Sequence, residues 1–127
     1  MHLTELAGVF QAANTKRNFK RLRSLIQLAV ERSECSTQRL RPGETLFVQG
    51  EPAEAFFQVE SGAVQMSFRA ADGRTLPVRT HRAGDIFGAS GLLDGGDGSR
   101  RDTATAIEPT VLKAIPHARF HSLMRQV

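Results

Sequence analysis

The run Arg41-Pro42-Gly43-Glu44-Thr45-Leu46-Phe47-Val48-Gln49-Gly50-Glu51-Pro52-Ala53-Glu54-Ala55-Phe56-Phe57-Gln58-Val59-Glu60-Ser61-Gly62-Ala63-Val64 decides the fold of this chain. Gly43, Gly50 and Gly62 separate short apolar stretches, and a residue without Cβ reaches positive φ at little steric cost, so each glycine reads as a corner between strands. Apolar residues between the corners then line an interior.

Outward from this run the pattern continues as short strands. They are expected at Thr45 to Val48, Phe56 to Val59, Ala63 to Arg69, Thr75 to His81, Asp85 to Phe87, Thr103 to Ile107 and Val111 to Ile115. Val64, Met66 and Phe68 alternate with Gln65, Ser67 and Arg69, and Asp72-Gly73 supplies a hairpin turn before Leu76 and Val78. Pro77 has no N–H to give a central ladder, which assigns its strand to an edge or a bend. Strands this short and this evenly spaced predict a mostly β chain with flanking helices, built as an antiparallel, jelly-roll-like β-roll.

Before residue 38 the period is helical. Leu3, Leu6, Phe10 and Ala13 form one short helix that breaks at Asn14-Thr15. Phe19, Leu22, Ile26, Ala29 and Val30 mark one face of a second, from about Lys16 to Arg32. A short C-terminal helix opens at Pro116, with Phe120, Leu123, Met124 and Val127 on one face. The expected organisation is an N-terminal helical segment, residues 1–37, and a β-roll domain, residues 38–127. With 127 residues the chain encloses one core.

Composition narrows the function. Seventeen Lys plus Arg against thirteen Asp plus Glu give a net charge of +4, a weak preference for anionic partners. The single cysteine, Cys35, excludes an internal disulfide and fits a reducing cytoplasm. Neither a leader peptide nor about 18 consecutive apolar residues occurs, so no membrane partner is expected. The basic run Lys16 to Arg23 reads as a solvated helix face ahead of a nucleic-acid or lipid contact. Catalytic chemistry finds no footing: there is no Gly-x-Ser-x-Gly elbow, Cys35 has no neighbouring histidine, and His81 is alone. His117 and His121 have a metal-ligand spacing but no third ligand, so no metal site is expected. The chain reads as a non-enzyme.

From about Arg41 to its end the chain resembles the cyclic-nucleotide-binding domain family, the regulatory β-roll of the catabolite-activator type. The stretch quoted above is similar to the family's opening strands. Gly84-Asp85-Ile86-Phe87-Gly88 resembles the strand that leads into the family's phosphate-binding cassette, and Arg100 to Ala106 the strand that leaves it. The resemblance implies a cyclic phosphate held by the backbone amides of Gly88, Ala89, Ser90 and Gly91 and by an arginine, Arg100 by family spacing, with Arg101 second.

The cassette departs from the family at Ala89, where the pattern has a glutamate that accepts from the ribose 2′-hydroxyl. A hydrogen bond to a charged group is worth roughly 1.5–3 kcal/mol, so its loss implies weak binding of a mononucleotide, about tens of micromolar or weaker. The loop Asp94 to Ser99 is also long for the family. The function implied is a cytoplasmic sensor that binds a cyclic nucleotide, cyclic AMP first and cyclic GMP second, and relays a conformational change to a homodimer partner or an output domain, without direct DNA binding. The alternative is a degenerate β-roll that binds no nucleotide and serves as a protein-interaction or dimerisation module.

Overall fold

The computed structural model describes residues 35–88 and 98–118, together with Ser24, Gln27 and Leu28. Eight strands occupy this span: β1 (Ser36–Leu40), β2 (Thr45–Phe47), β3 (Ala55–Ser61), β4 (Ala63–Arg69), β5 (Thr75–Arg82), β6 (Ile86–Phe87), β7 (Thr103–Ala106) and β8 (Thr110–Pro116). They form two four-stranded antiparallel sheets, ordered β1-β8-β3-β6 and β2-β7-β4-β5. Of the flanking helices, Ser24, Gln27 and Leu28 are helical and His117 and Ala118 open a helical turn; the rest lies outside the described residues.

The seven expected strands are present, with ends shifted by a residue or two. The first strand, β1, was not among them. Its residues, Ser-Thr-Gln-Arg-Leu, show no apolar alternation and are exposed except for the half-buried Leu40, because β1 pairs at the border of its sheet and holds β8 chiefly through its backbone.

Alternation fixes which side of each strand faces inward. On β7, Ala104 and Ala106 are buried while Thr103 and Thr105 are half-buried, and on β4 Val64 and Met66 point in between Gln65 and Ser67. A slip of one residue would turn these sets outward, so burial pins the register. The core between the sheets is Phe47, Phe57, Val59, Val64, Met66, Phe87, Ala104, Leu112 and Ala114. Three of its rings pack together, Phe57 lying 5.5 Å from Phe87 and 6.0 Å from Phe47, close enough to add ring–ring attraction to their burial.

Pro77 lies on the border strand β5, as its missing N–H requires, and the register with β4 shifts there between Met66 and Ser67. The β4–β5 connection is a three-residue loop rather than a two-residue turn. Gly73 N–H donates to Ala70 C=O, Ala70 N–H donates to Arg74 C=O, and Gly73 carries φ +88°.

Candidate functional site

Two chain segments meet at Arg100, one ending at Gly88 and one returning at residue 98. Gly84 and Asp85 are stitched to Val59 by backbone hydrogen bonds, and β6 then delivers Phe87 to the core, followed by the half-buried Gly88. The other segment returns at residue 98. Ala53 N–H donates to Gly98 C=O, Arg100 N–H to Glu51 C=O, and Gly50 N–H to Arg100 C=O, which fixes the approach to β7 against residues 50–53.

This scaffold turns Arg100 inward. Its residue is only 6% exposed. The guanidinium lies 4.0 Å above the centroid of Phe47, Nη1 donates to Gly88 C=O at 2.6 Å, and Nη2 donates to Ala55 C=O at 2.8 Å. Burial pulls its pKa below the ordinary arginine value, and the charges of Asp102 and Glu51 oppose that shift; the group stays charged at any physiological pH. Among the described residues no carboxylate lies within ion-pair distance of it, and its buried Nε has no hydrogen-bond partner. A buried cation with an unused donor makes Arg100 the candidate residue for holding an anion.

Gly88 borders the same spot. Its φ is +86°, and a Cβ there would sit 3.1 Å from both Arg100 Nη1 and the Phe57 ring. Glycine at 88 therefore lets the guanidinium approach the backbone. Of the expected site residues, the structure brings Gly88 and Arg100 into direct contact and leaves Arg101 exposed in the turn before β7. Ala89, Ser90 and Gly91 lie outside the described residues.

Three residues with no expected part in the site act electrostatically on one another. His81, on β5, stacks across the gap on Phe87 of the other sheet, with ring centroids 5.0 Å apart and planes 13° from parallel, and its Nδ1 is 3.7 Å from an Asp85 oxygen. Asp102 is half-buried, and the charges of His81, Arg100, Arg79 and Arg101 act on it. Arg79 faces the core residue Met66 across the β4–β5 ladder. The apolar alternation of β5, through Leu76 and Val78, gave no signal for His81 or Arg79, because the register shift beside Pro77 reverses its phase; His81 is half-buried and Arg79 exposed. Asp102 follows a long loop, which hid its register.

His81 gives the site a pH dependence. Burial lowers its pKa, chiefly by desolvating the charged form, while Asp85 and Asp102 partly restore it and Arg79 lowers it further. Because the folded value lies below the unfolded value of about 6.5, the unfolded chain binds more protons between the two. The stability His81 supports is therefore complete above about pH 6.5 and is lost as pH falls through the folded value. Urea denaturation of the wild type and of His81→Gln at pH 7.5 and pH 5.5 is expected to show the wild type losing more stability than the variant. Equal losses would refute the assignment.

No helix among the described residues is long and apolar enough to cross a membrane, and those residues contain no group of three or more His, Cys, Asp or Glu side chains able to hold a metal.

Comparison with known proteins identifies the fold and the family. The "Cyclic AMP receptor protein" of Thermus thermophilus is 32% identical over 91 residues, which is 71% of this chain and 41% of that protein. "Acetyltransferase Pat" of Mycolicibacterium smegmatis is 40% identical over 73 residues, 58% of this chain and 21% of that protein. The crystal structure of Thermus thermophilus catabolite activator protein superposes with a TM-score of 0.72 at 28% identity, covering 81% of this chain and 46% of that one. The chain thus spans less than half the length of these relatives. Residues 37–127 match the family described as "Cyclic nucleotide-binding domain", and with the two-sheet roll and its buried arginine in view, the chain belongs to the cyclic nucleotide-binding domain family.

Proposed function

We propose that this chain is a cytoplasmic regulatory sensor, not an enzyme, whose ligand is a cyclic mononucleotide, cyclic AMP before cyclic GMP, with its phosphate at Arg100. The buried, carboxylate-free guanidinium of Arg100 beside Gly88 carries the reading. A phosphate presents acceptor oxygens and a negative charge to a group that has a donor to spare and no counter-ion in contact. The family resemblance assigns the rest of the phosphate cradle to the backbone amides of Gly88, Ala89, Ser90 and Gly91. Arg100, which leads into β7, also clasps the carbonyls of Ala55 on β3 and of Gly88 after β6, both in the other sheet, so a ligand that draws on the same guanidinium loosens this tie between the sheets, which is the step relayed to a partner subunit or output domain.

Calorimetric titration with cyclic AMP, cyclic GMP and a cyclic dinucleotide tests the proposal. Saturable heat with a mononucleotide is expected. Silence from all three at millimolar concentration would leave the second reading, an interaction or dimerisation module, which Ala89 and the carbonyl bonds already made by Arg100 favour.

A further inference from the structure

His81 sits on the inner face of its sheet. Its partner across the β4–β5 ladder is Val64, which is fully buried, and directly opposed residues of an antiparallel pair share a face. The His81 side chain is only 12% exposed and lies nearly flat on Phe87, with 5.0 Å between centroids and 13° between planes. Phe87 belongs to the other sheet, so the stack ties the two together.

The strand on the far side has few other ties. β6 is two residues long, borders its sheet and pairs there with β3 through Phe57↔Phe87 and Gln58↔Ile86. The Phe87 ring also packs on Phe57 at 5.5 Å and on Phe47 at 6.3 Å. Both of those rings lie under the Arg100 guanidinium, at 5.7 Å and 4.0 Å. Gly88, the next residue, accepts from Arg100 Nη1 through its carbonyl, in a fit so close that even a Cβ at 88 would come within 3.1 Å of that nitrogen and of the Phe57 ring. A shift of Phe87 therefore reaches Arg100 by two routes, the rings and the chain.

The stack depends on charge. An imidazolium needs water or an anion, and a seat on Phe87 opposite Val64 offers neither; burial accordingly favours the neutral ring. Of the charged neighbours, Arg79 on β5 itself opposes a second cation, while Asp102 ahead of β7 and Asp85 ahead of β6 favour one. Asp85 is placed to act on it. Its Oδ2 lies 3.7 Å from His81 Nδ1, beyond hydrogen-bond reach, and accepts from the Arg82 N–H at 2.9 Å. Protonation favours closing that gap, and because the carboxylate is anchored, the ring moves, off Phe87 and toward the more exposed acid.

We propose that His81 is a positioning residue for the arginine site: its neutral ring, seated on Phe87, keeps Gly88 and Arg100 together as one anion site, and protonation releases them, so that cyclic nucleotide affinity falls on acidification. This rests on the sensor reading above and adds a pH input to it. The sign is opposite to that of simple charge attraction, in which a second cation draws an anion in. The effect lies below about pH 6.5, because the folded His81 titrates below its unfolded value. Linkage is reciprocal, so bound nucleotide lowers the His81 pKa by the logarithm of the affinity ratio.

The test joins an affinity profile to an NMR titration. Cyclic AMP is titrated calorimetrically into the wild type and His81→Phe at pH 7.5 and pH 5.0, with thermal melts as the check on folding. Phenylalanine keeps a ring for Phe87 and takes up no proton. Wild-type affinity is expected to fall about fivefold or more at the lower pH, and that of His81→Phe to change by less than about twofold. By NMR, acid titration of the ligand-free wild type is expected to move the Gly88 amide and the Arg100 Nε–H with the midpoint of the His81 ring, and to leave both in place in His81→Phe. Saturating cyclic AMP is expected to lower that midpoint in the wild type, a reading that needs no variant. A fall in affinity that persists in His81→Phe overturns the proposal, because another group then carries it. So does affinity that rises on acidification, or Gly88 and Arg100 signals that ignore the His81 midpoint while nucleotide still binds. If no nucleotide binds the wild type at either pH, the sensor reading fails, and the ligand-free signals alone decide whether His81 positions Gly88 and Arg100.

Discussion

Arg100→Ala is expected to lower folding stability by about 2 to 4 kcal/mol and to remove measurable cyclic nucleotide binding. Two effects act in the same direction. Truncation takes away charged donors from Gly88 C=O and Ala55 C=O, each of which then has to find water or remain unpaired. It also leaves the face of Phe47 without the guanidinium that covers it at 4.0 Å, a lost packing and cation–π contact. One effect opposes them, because the cost of burying a charge disappears, and this keeps the loss below what two broken charged hydrogen bonds would give. Arg100→Lys separates the roles. A lysine keeps the charge but not the fork, and it cannot serve two carbonyls and an anion in fixed directions, so stability is expected to fall less and affinity still to fall about tenfold or more. Urea denaturation and calorimetric titration of the two variants check this. An alanine variant that is as stable as the wild type would show that the two carbonyl bonds contribute nothing to holding the sheets together.

Gly62→Ala is expected to be the most damaging of the glycine substitutions, with a loss of about 3 kcal/mol or more. Gly62 joins β3 to β4 with φ +92°, and a Cβ built there would overlap the carbonyl oxygen of Pro109 and the backbone of Thr110. These are main-chain atoms and cannot rotate away. The opposing corner is itself pinned, because the buried Thr110 hydroxyl accepts from Ala63 N–H and donates to Glu108 C=O. The β3–β4 and β7–β8 corners would have to separate. Gly43→Ala is the control, since its φ of +87° is as unfavourable but nothing lies within 4 Å of its would-be Cβ. Only conformational strain remains there, about 1–2 kcal/mol. Comparable losses at the two positions, measured by urea denaturation, would show that the close approach at Gly62 is not what matters.

The corners at Gly43, Gly50 and Gly62 and the inward face of β4 at Val64 and Met66 were legible in the sequence because each rests on a local rule, a glycine at positive φ or a period of two. Pro77 placed β5 at a border for an equally local reason. Strand β1 was not legible, since its residues are held by pairing with β8 and carry almost no apolar signal of their own. At the site, family spacing singled out Arg100, which the structure buries. The resemblance also named Gly88, for its amide, but not the bonds that Arg100 makes to the Gly88 and Ala55 carbonyls. Gly88 and Ala55 come to Arg100 through the pairing of β3 with β6 and β8, which no local pattern reports. His81, passed over as a lone histidine, matters through Phe87 on the other sheet, and Asp102 lay behind a loop whose length conceals the strand phase.

The antiparallel pairing of Ser36 with Ala114 and of Leu40 with Thr110 has a consequence for the birth of the molecule. The strand made first among the eight finds its partner only when the last has been made, so a chain emerging from a ribosome carries β1 without a ladder until nearly everything else is in place. Bringing together ends so far apart along the chain spends loop entropy before any contact repays it, and folds that depend on such pairings form slowly. The exposed polar side chains of Ser36, Thr37, Gln38 and Arg39, uninformative to a reader of the sequence, suit a segment that has to wait in water. The β4–β5 hairpin, closed by a three-residue loop, needs no such wait and is the natural first structure on which the rest assembles.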